Sequence, residues 1–302
     1  MNKKIAYRIA RAKGGARAPS HYDTFTIDVD PSRTTILDGI QKIWAEQDTT
    51  LTFRHACHHA SCGSCAVRVN GVEKLPCVVY ISEVWDGTSP LVIEPLRNLP
   101  IVSDLVVDPT PFFDQMRRVG LPIICTSEPL VSGGSQEANR FENCIECLVC
   151  LSACPVVASD PRYLGPAALA AAHRIIVEPR GADLLFIQQL VDDDHGCWRC
   201  FYCQLCNVCP MNIDSPRAVV EMKERFSRGK LVNLLLSQAD LMTRMGSRTD
   251  PVSNVLLNFP LARAFLERTL GIDRRRNFPK FQRQTFRQWF SRRTHSRGPG
   301  LF

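Results

Sequence analysis

Alternation of apolar and polar positions predicts short strands over residues 5–12 and 22–29, separated by a Gly- and Arg-rich turn. The period then lengthens. Ile36, Ile40, Ile43 and Trp44 fall on one face of a helix that Thr34 or Thr35 can cap and that runs to about Gln47. After a cysteine-rich loop, CAVRVNGVEKLPCVV predicts a hairpin turning on Asn70-Gly71, residues that accept positive φ at both central positions of a tight turn. A further strand is predicted near LVIEP, residues 91–95. Two hairpins and one helix make an α+β, ferredoxin-like unit.

The second half changes character. A Pro-punctuated connector, PLRNLPIVSDLVVDPTP (95–111), leads to mostly helical patterning. GPAALAAAHRIIVEP (165–179) and SPRAVVEMKERFSRG (215–229) predict helices with Pro in the first turn, and the loop VSGGSQEANR spans 131–140. Further helical pieces are expected from residue 230, broken at Gly246, Pro251, Pro260 and Gly271. The chain thus divides into a ferredoxin-like domain over 1–105, a helical domain over 106–230 and a C-terminal extension over 231–302.

Composition narrows the chemistry. The chain has 302 residues and 14 Cys, and its 45% hydrophobic content builds ordinary cores without covalent staples. The N-terminus MNKKIAYRIARAKGG lacks the apolar region of a secretory signal, so clustered thiols point to metal or redox chemistry rather than disulfides. LVNLLL (231–236) and PAALAAA (166–172) fall far short of the ~18 consecutive apolar residues of a membrane span. Any membrane association is therefore expected to be peripheral, through partner subunits. Of the net charge of +7, residues 271–302 supply nine Lys/Arg against Asp273 alone, leaving residues 1–270 nearly neutral. Phe278, Phe281, Phe286, Trp289 and Phe290 interrupt that charge, which favours packing on a partner or an anionic lipid surface over a nucleic-acid arm.

The cysteines fall into patterned groups. Cys57-x4-Cys62-x2-Cys65-x11-Cys77 has the plant-type [2Fe–2S] spacing. Three thiolates come from one tight loop, and the fourth lies beyond a hairpin. Gly63, Ser61 and Ser64 let backbone N–H groups approach the sulfurs. Zinc would usually show two CxxC pairs, and a Rieske centre would need His where Cys65 stands, so His55, His58 and His59 are loop or interface residues.

NCIECLVCLSACP gives Cys144-x2-Cys147-x2-Cys150-x3-Cys154-Pro155, the bacterial ferredoxin run whose fourth cysteine ligates a different cluster. That crossover requires a second run, and CWRCFYCQLCNVCP (197–210) supplies it. Cys209, before Pro210, is expected to complete a [4Fe–4S] set with Cys144, Cys147 and Cys150. Cys154 joins Cys200, Cys203 and Cys206 at a third centre, four-iron if Cys203 binds and three-iron if it does not. A register shifted to Cys197, Cys200 and Cys203 is the alternative, and it strands Cys206. Cys125 in LPIICTS is expected to be a buried apolar residue.

These stretches, with YLGPAALAAAHRII (163–176), resemble the iron–sulfur subunits of succinate dehydrogenase and fumarate reductase over roughly residues 22–230. The resemblance implies an N-terminal β-grasp [2Fe–2S] domain, an all-helical dicluster domain and, here, a basic C-terminal extension. It also implies a partner flavoprotein holding FAD, and electron flow through three centres toward a quinone at the cytoplasmic side of the membrane. Three departures stand out. Cys203 occupies a position where family members usually lack Cys, CPVVASDPR lacks their Trp, and Phe201 replaces the His that follows the first Cys of the second run. The ordinary quinone pocket is thus missing familiar residues. The tail over 241–290 resembles the segment that precedes a cysteine-rich CCG domain in anaerobic glycerol-3-phosphate dehydrogenase and glycolate oxidase iron–sulfur subunits. No cysteine follows Cys209, so a separate CCG-domain subunit or membrane anchor is the expected acceptor. The expected function is electron transfer within a succinate dehydrogenase or fumarate reductase complex. The alternatives are service to another flavin dehydrogenase, for glycerol-3-phosphate or glycolate, and a zinc-stapled binding module.

Overall fold

The computed structural model describes residues 1–121, 141–177, 184–226, 238–270, 272–284 and 286–291. Strands β1 (Lys3–Arg11) and β2 (His21–Val29) pair antiparallel over their whole length, from Lys3↔Val29 to Arg11↔His21. Strands β3 (Val67–Val69), β4 (Val72–Lys74) and β5 (Leu91–Glu94) complete a five-stranded sheet in the order β2-β1-β5-β3-β4. β5 lies parallel to β1, and the chain between them crosses one face of the sheet. The β3–β4 turn falls on Asn70 (φ 50°) and Gly71 (φ 83°), the paired positive φ values that the dipeptide predicts.

Helix α1 (Ile36–Glu46) begins in a capping box. The Asp38 N–H donates to Thr35 Oγ1 at 3.1 Å, and the Thr35 N–H donates to Asp38 Oδ2 at 2.9 Å. Its buried stripe of Ile36, Ile40 and Ile43 is set against Ile5, Tyr7, Ile9, Ile27, Leu91 and Ile93 of the sheet, while Leu37 is buried in the neighbouring core. Trp44, expected on that face, is 44% exposed instead. Its ring sits at the rim, edge-on to Phe53, and its indole N–H donates to the Thr49 carbonyl.

The connector hides two features that its prolines obscured. A small hairpin forms from β6 (Ile101–Ser103) and β7 (Val106–Val107), and helix α2 (Thr110–Arg118) follows directly. Buried Asp104 between the two strands accepts from the Ala12 and Thr52 N–H groups at 3.1 and 2.9 Å, tying the hairpin to β1.

Beyond it, short helices α3 (Val149–Ala153) and α4 (Pro155–Ser159) precede α5 (Pro166–Val177). Helix α6 (Leu184–Val191), unmarked in the sequence pattern, and α7 (Ser215–Phe226) complete this part. α5 is buried nearly all round, because a run of alanines lets α6 and α7 approach it closely. One core runs from Leu37, Ala66 and Leu75 through Phe112 and Leu151 to Leu169, Ile175 and Met222. A polar tie backs it. Ser152 Oγ donates to Glu73 Oε1 at 2.8 Å and accepts from the Arg97 N–H at 2.9 Å. These residues belong to one compact unit, Met1–Phe226.

The second unit, Ser227–Phe302, holds helices Ala239–Arg248, Val252–Asn258, Pro260–Leu270 and Phe286–Ser291. Pro251 and Pro260 mark helix starts as expected; Gly271 lies outside the described residues. Gly246 does not break its helix. It lies inside Ala239–Arg248, where a Cβ would come within 2.5 Å of the Phe281 ring, so glycine here is a close-approach residue. Among the described residues no helix is long and apolar enough to cross a membrane.

Candidate metal centres

The loop from Cys57 to Cys65 wraps inward because His58 (φ 60°), Ala60 (φ 58°) and Gly63 (φ 67°) all take left-handed backbone. The Ser61 and Cys62 N–H groups consequently donate to Cys57 Sγ at 3.3 Å each. The His59 N–H above all, helped by these two, draws the Cys57 thiol down to about 7. Cys65 and Cys77 are buried side by side, and burial pushes the Cys65 thiol up to about 12. Cys62 lies near Cys65 and within reach of Cys57. His55 and His58 bond each other at 3.1 Å, and His59 bonds the Cys57 carbonyl, so these rings stay within the loop.

The two later runs repeat one backbone geometry. In the first, Glu146 (φ 54°) and Leu148 (φ 67°) flank Cys147; in the second, Tyr202 (φ 60°) and Gln204 (φ 63°) flank Cys203. A non-glycine residue in this region costs about 1–2 kcal/mol, and four such residues at matching offsets mark a built shape. The match pairs Cys147 with Cys203 in local backbone shape. Cys144, Cys147, Cys150 and Cys209 line one cavity together with Phe112, Ile145 and Met211. Cys154, Cys200, Cys203 and Cys206 line another with Val156, Tyr163 and Val219. Cys197 lines neither. It is fully buried in the apolar core. Cys125 falls outside the described residues.

The donor set is all sulfur, with backbone N–H groups aimed at it. The Glu146 N–H points at Cys144, the Val149 N–H at Cys147, and those of Val156 and Val157, opening α4, at Cys154. Against them, burial pushes the Cys147 thiol up to about 11 and Cys206 up to about 12, and raises Cys150 and Cys154. Buried thiols in this state release protons when they take on a cation. Among the described residues no three His, Cys, Asp or Glu groups converge as tightly as one metal ion requires. Each later set encloses a cavity instead, which fits a multi-iron group better than one tetrahedral zinc.

The three sets lie in series. A Cβ on Gly63 would stand 2.7 Å from both Cys147 Cβ and the Ile145 carbonyl oxygen, so the first and second cysteine loops touch through backbone. A cavity of about 210 Å³ lined by Cys62, Cys65 and Cys147 sits at that junction. Cys150 lies near both Cys209 and Cys206, linking the second set to the third.

Two residues near the thiols escaped the sequence reading. Asn98, itself at φ 65°, donates from Nδ2 to the carbonyls of Leu151, Ser152 and Cys154 at 2.8, 3.1 and 3.0 Å. It closes the end of α3 just where Cys154 must turn inward. Tyr163 is 3% exposed and lines the same cavity as Cys200. An Asn before a Leu-Pro and a Tyr before a Leu-Gly carry no local signal of either role.

The chain is similar to known proteins in sequence, domain order and fold. A 2Fe-2S iron-sulfur cluster binding domain model matches residues 6–114, and a 4Fe-4S dicluster domain model matches residues 140–213. The fumarate reductase iron-sulfur subunit of Mycobacterium tuberculosis is 33% identical over 244 residues, 78% of this chain and 98% of that one. The succinate dehydrogenase iron-sulfur subunit of Paracoccus denitrificans is 33% identical over 210 residues, 67% of this chain and 80% of its own. A chain of the Mycobacterium smegmatis Sdh1 complex superposes with a TM-score of 0.65 at 25% identity, covering 74% of this chain and 96% of that chain. Sequence, domain order and fold agree, and the chain belongs to the iron–sulfur subunits of the succinate dehydrogenase and fumarate reductase family.

Proposed function

We propose that the chain carries electrons, one at a time, between a flavoprotein subunit holding FAD and a quinone-linked acceptor in a succinate dehydrogenase or fumarate reductase complex. The observation that carries this reading is the serial contact of three four-thiol sets, through Gly63 against Cys147 and Cys150 beside Cys206. In this reading Cys57, Cys62, Cys65 and Cys77 hold [2Fe–2S], and Cys144, Cys147, Cys150 and Cys209 hold [4Fe–4S]. Cys154, Cys200, Cys203 and Cys206 hold the third centre, and four thiols around its cavity favour [4Fe–4S] over [3Fe–4S]. Bound clusters supply one-electron redox chemistry; the protein supplies the sulfurs, the N–H donors around them and the short spacing between loops.

The acceptor in this reading is a membrane anchor or a separate CCG-domain subunit at the cytoplasmic face, which passes electrons to quinone. The tail supports such a partner, since Met245, Phe265 and Trp289 lie exposed among arginines. The test is co-purification with the flavoprotein, followed by succinate-dependent dye reduction and iron and sulfide analysis. Succinate or fumarate turnover, with iron for one two-iron and two four-iron centres, supports the proposal. Turnover of glycerol-3-phosphate or glycolate alone assigns the chain to another flavin dehydrogenase. Cys203→Ser in the same complex is expected to convert the third centre to a three-iron EPR signal, whereas an unchanged signal removes Cys203 from the ligand set.

A further inference from the structure

The second unit is built with its apolar residues outward. Among its described residues only Gly246 and Ser247 are buried, although four helices carry apolar stripes at helical spacing. Leu241, Met242 and Met245 form the first, and Val252, Val255, Leu256 and Phe259 run along and just past the second. Leu261 and Phe265 lie one turn apart on the third. Phe286, Trp289 and Phe290 make the last, the two later ring centroids lying 5.5 and 5.9 Å from that of Phe286. All twelve side chains are 40–73% exposed. At about 100 Å² each they present about 1,200 Å² together, more than the ~800 Å² that one side of a standard interface buries.

Polar ties hold these helices in place where a core would otherwise do so. Asn254 Nδ2 donates to the Phe281 carbonyl at 2.9 Å, and the Phe281 N–H donates to Asn254 Oδ1 at 2.8 Å. Arg263 donates to the carbonyls of Leu257 and Arg274 at 3.1 and 2.9 Å. The braced unit keeps its stripes outward, so an apolar phase outside it covers them. Charge identifies that phase. Between residues 238 and 291 ten Lys/Arg stand against four acids, and each acid is engaged locally. Asp240 pairs with Arg244 at 2.6 Å, Glu267 with Arg274 at 2.5 Å and Asp273 with Arg275 at 2.7 Å, while Asp250 accepts from Asn254. Exposed Arg248 and Arg268 follow Met245 and Phe265 by one helical turn, and Arg276, Lys280 and Arg283 are exposed on the connecting segment. The centre of a protein–protein interface is depleted of charge. Apolar stripes edged by cations suit a lipid interface instead, where Arg and Lys stems reach the headgroups while Leu, Phe and Trp enter the acyl boundary.

We infer that the C-terminal unit adsorbs directly on an anionic phospholipid surface, its apolar stripes in the headgroup–acyl boundary and its cations on the lipid phosphates. The contact lies in the plane of the membrane, since among the described residues no helix is long and apolar enough to span it. It is an attachment beside the membrane-linked acceptor of the proposed function, and it holds whichever dehydrogenase the chain serves.

The experiment is flotation of the full cluster-loaded chain, without any anchor subunit, on vesicles of equimolar phosphatidylglycerol and phosphatidylcholine and on vesicles of phosphatidylcholine alone. The chain is expected to float with the anionic vesicles and to partition at least about a hundredfold more weakly onto the neutral ones. Each Lys or Arg near such a surface contributes about fivefold. Arg268→Gln, Arg276→Gln, Lys280→Gln and Arg283→Gln combined are therefore expected to weaken partition about a hundredfold or more, and raised salt acts in the same direction. Leu256→Ser with Phe265→Ser, exposed sites outside the polar ties, is expected to weaken it about tenfold or more. Unchanged iron and sulfide content checks that the variants keep their clusters. Equal flotation on both vesicle types, flotation on neither, or variants that float like wild type overturn the inference. If a variant fails to fold, the salt series on the wild-type chain decides, and salt-independent flotation overturns it. No flotation, with the variants losing a subunit from the assembled complex, assigns the surface to a protein partner instead. Succinate-dependent dye reduction needs no vesicle, so failure of the proposed function is read separately.

Discussion

Gly63 stands at a close backbone joint between the first two cysteine loops, and Gly63→Ala tests whether that joint governs their coupling. Two costs arise. At φ 67° an alanine enters left-handed backbone, which costs about 1–2 kcal/mol. Its methyl would lie 2.7 Å from Cys147 Cβ, 2.7 Å from the Ile145 carbonyl oxygen and 2.8 Å from Cys147 Cα. Two of these three neighbours are backbone atoms that no rotamer change can move, so overpacking adds about 1–3 kcal/mol. The combined loss is about 2–5 kcal/mol. At roughly 2–4 °C per kcal/mol for a unit of this size, the apparent melting temperature falls by roughly 4–20 °C at a fixed scan rate. Gly71→Ala isolates the backbone cost, because φ there is 83° but the nearest atom, Arg68 Nη2, is 3.8 Å away. It is expected to lose only about 1–2 kcal/mol. The assay is cluster-loaded melting of both variants, with EPR spin–spin coupling between the first two centres as second readout. Equal losses in the two variants, or undiminished coupling in Gly63→Ala, would refute the claim that steric contact with Cys147 sets the spacing.

Asn98→Gly keeps the left-handed backbone and removes the amide that satisfies three carbonyls before Pro155. It is expected to cost about 1–3 kcal/mol, with chelator challenge stripping the third centre before the other two. Simultaneous loss of all three centres would mean that Asn98 supports the fold generally and not Cys154. Cys197→Ala removes a fully buried thiol from the apolar core and is expected to cost roughly 1–2 kcal/mol without changing iron or sulfide content. A drop in iron would restore the shifted ligand register. His173 bridges α5 to α7 through Nε2 to Glu221 at 2.9 Å, and burial outweighs that carboxylate to hold its pKa below the ordinary value of 6.5. The unfolded chain therefore binds the proton more readily. The stability that neutral His173 contributes is complete above about pH 6.5 and is lost as pH falls through the lowered folded value. His173→Gln is expected to flatten that limb of a pH–melting profile, and a profile of unchanged slope would assign the acid sensitivity elsewhere.

Much of the first domain was legible because its signals are local. Asn70-Gly71 dictates its own turn, Thr35 and Asp38 satisfy each other across one helical turn, and alternation sets which faces of β1 and β2 turn inward. The grouping of cysteines is of the same kind, since thiols three residues apart stay close along the chain and a Cys-Pro turn exits the loop. What spacing could not decide lay in long-range packing. Cys197 continues the three-residue beat yet faces the core, because the left-handed residues fall around Cys203 and not around Cys200. Trp44 came to lie at the rim against Phe53 once α1 was laid across the sheet, and Gly246 became a seat for Phe281 instead of a helix end. The approach of Gly63 to Cys147, of Asn98 to Cys154 and of Tyr163 to the cavity of Cys200 joins residues 37 to 84 positions apart. Such contacts exist only after the chain has closed those loops, so only the tertiary structure decides how close the sulfur sets stand and what surrounds them.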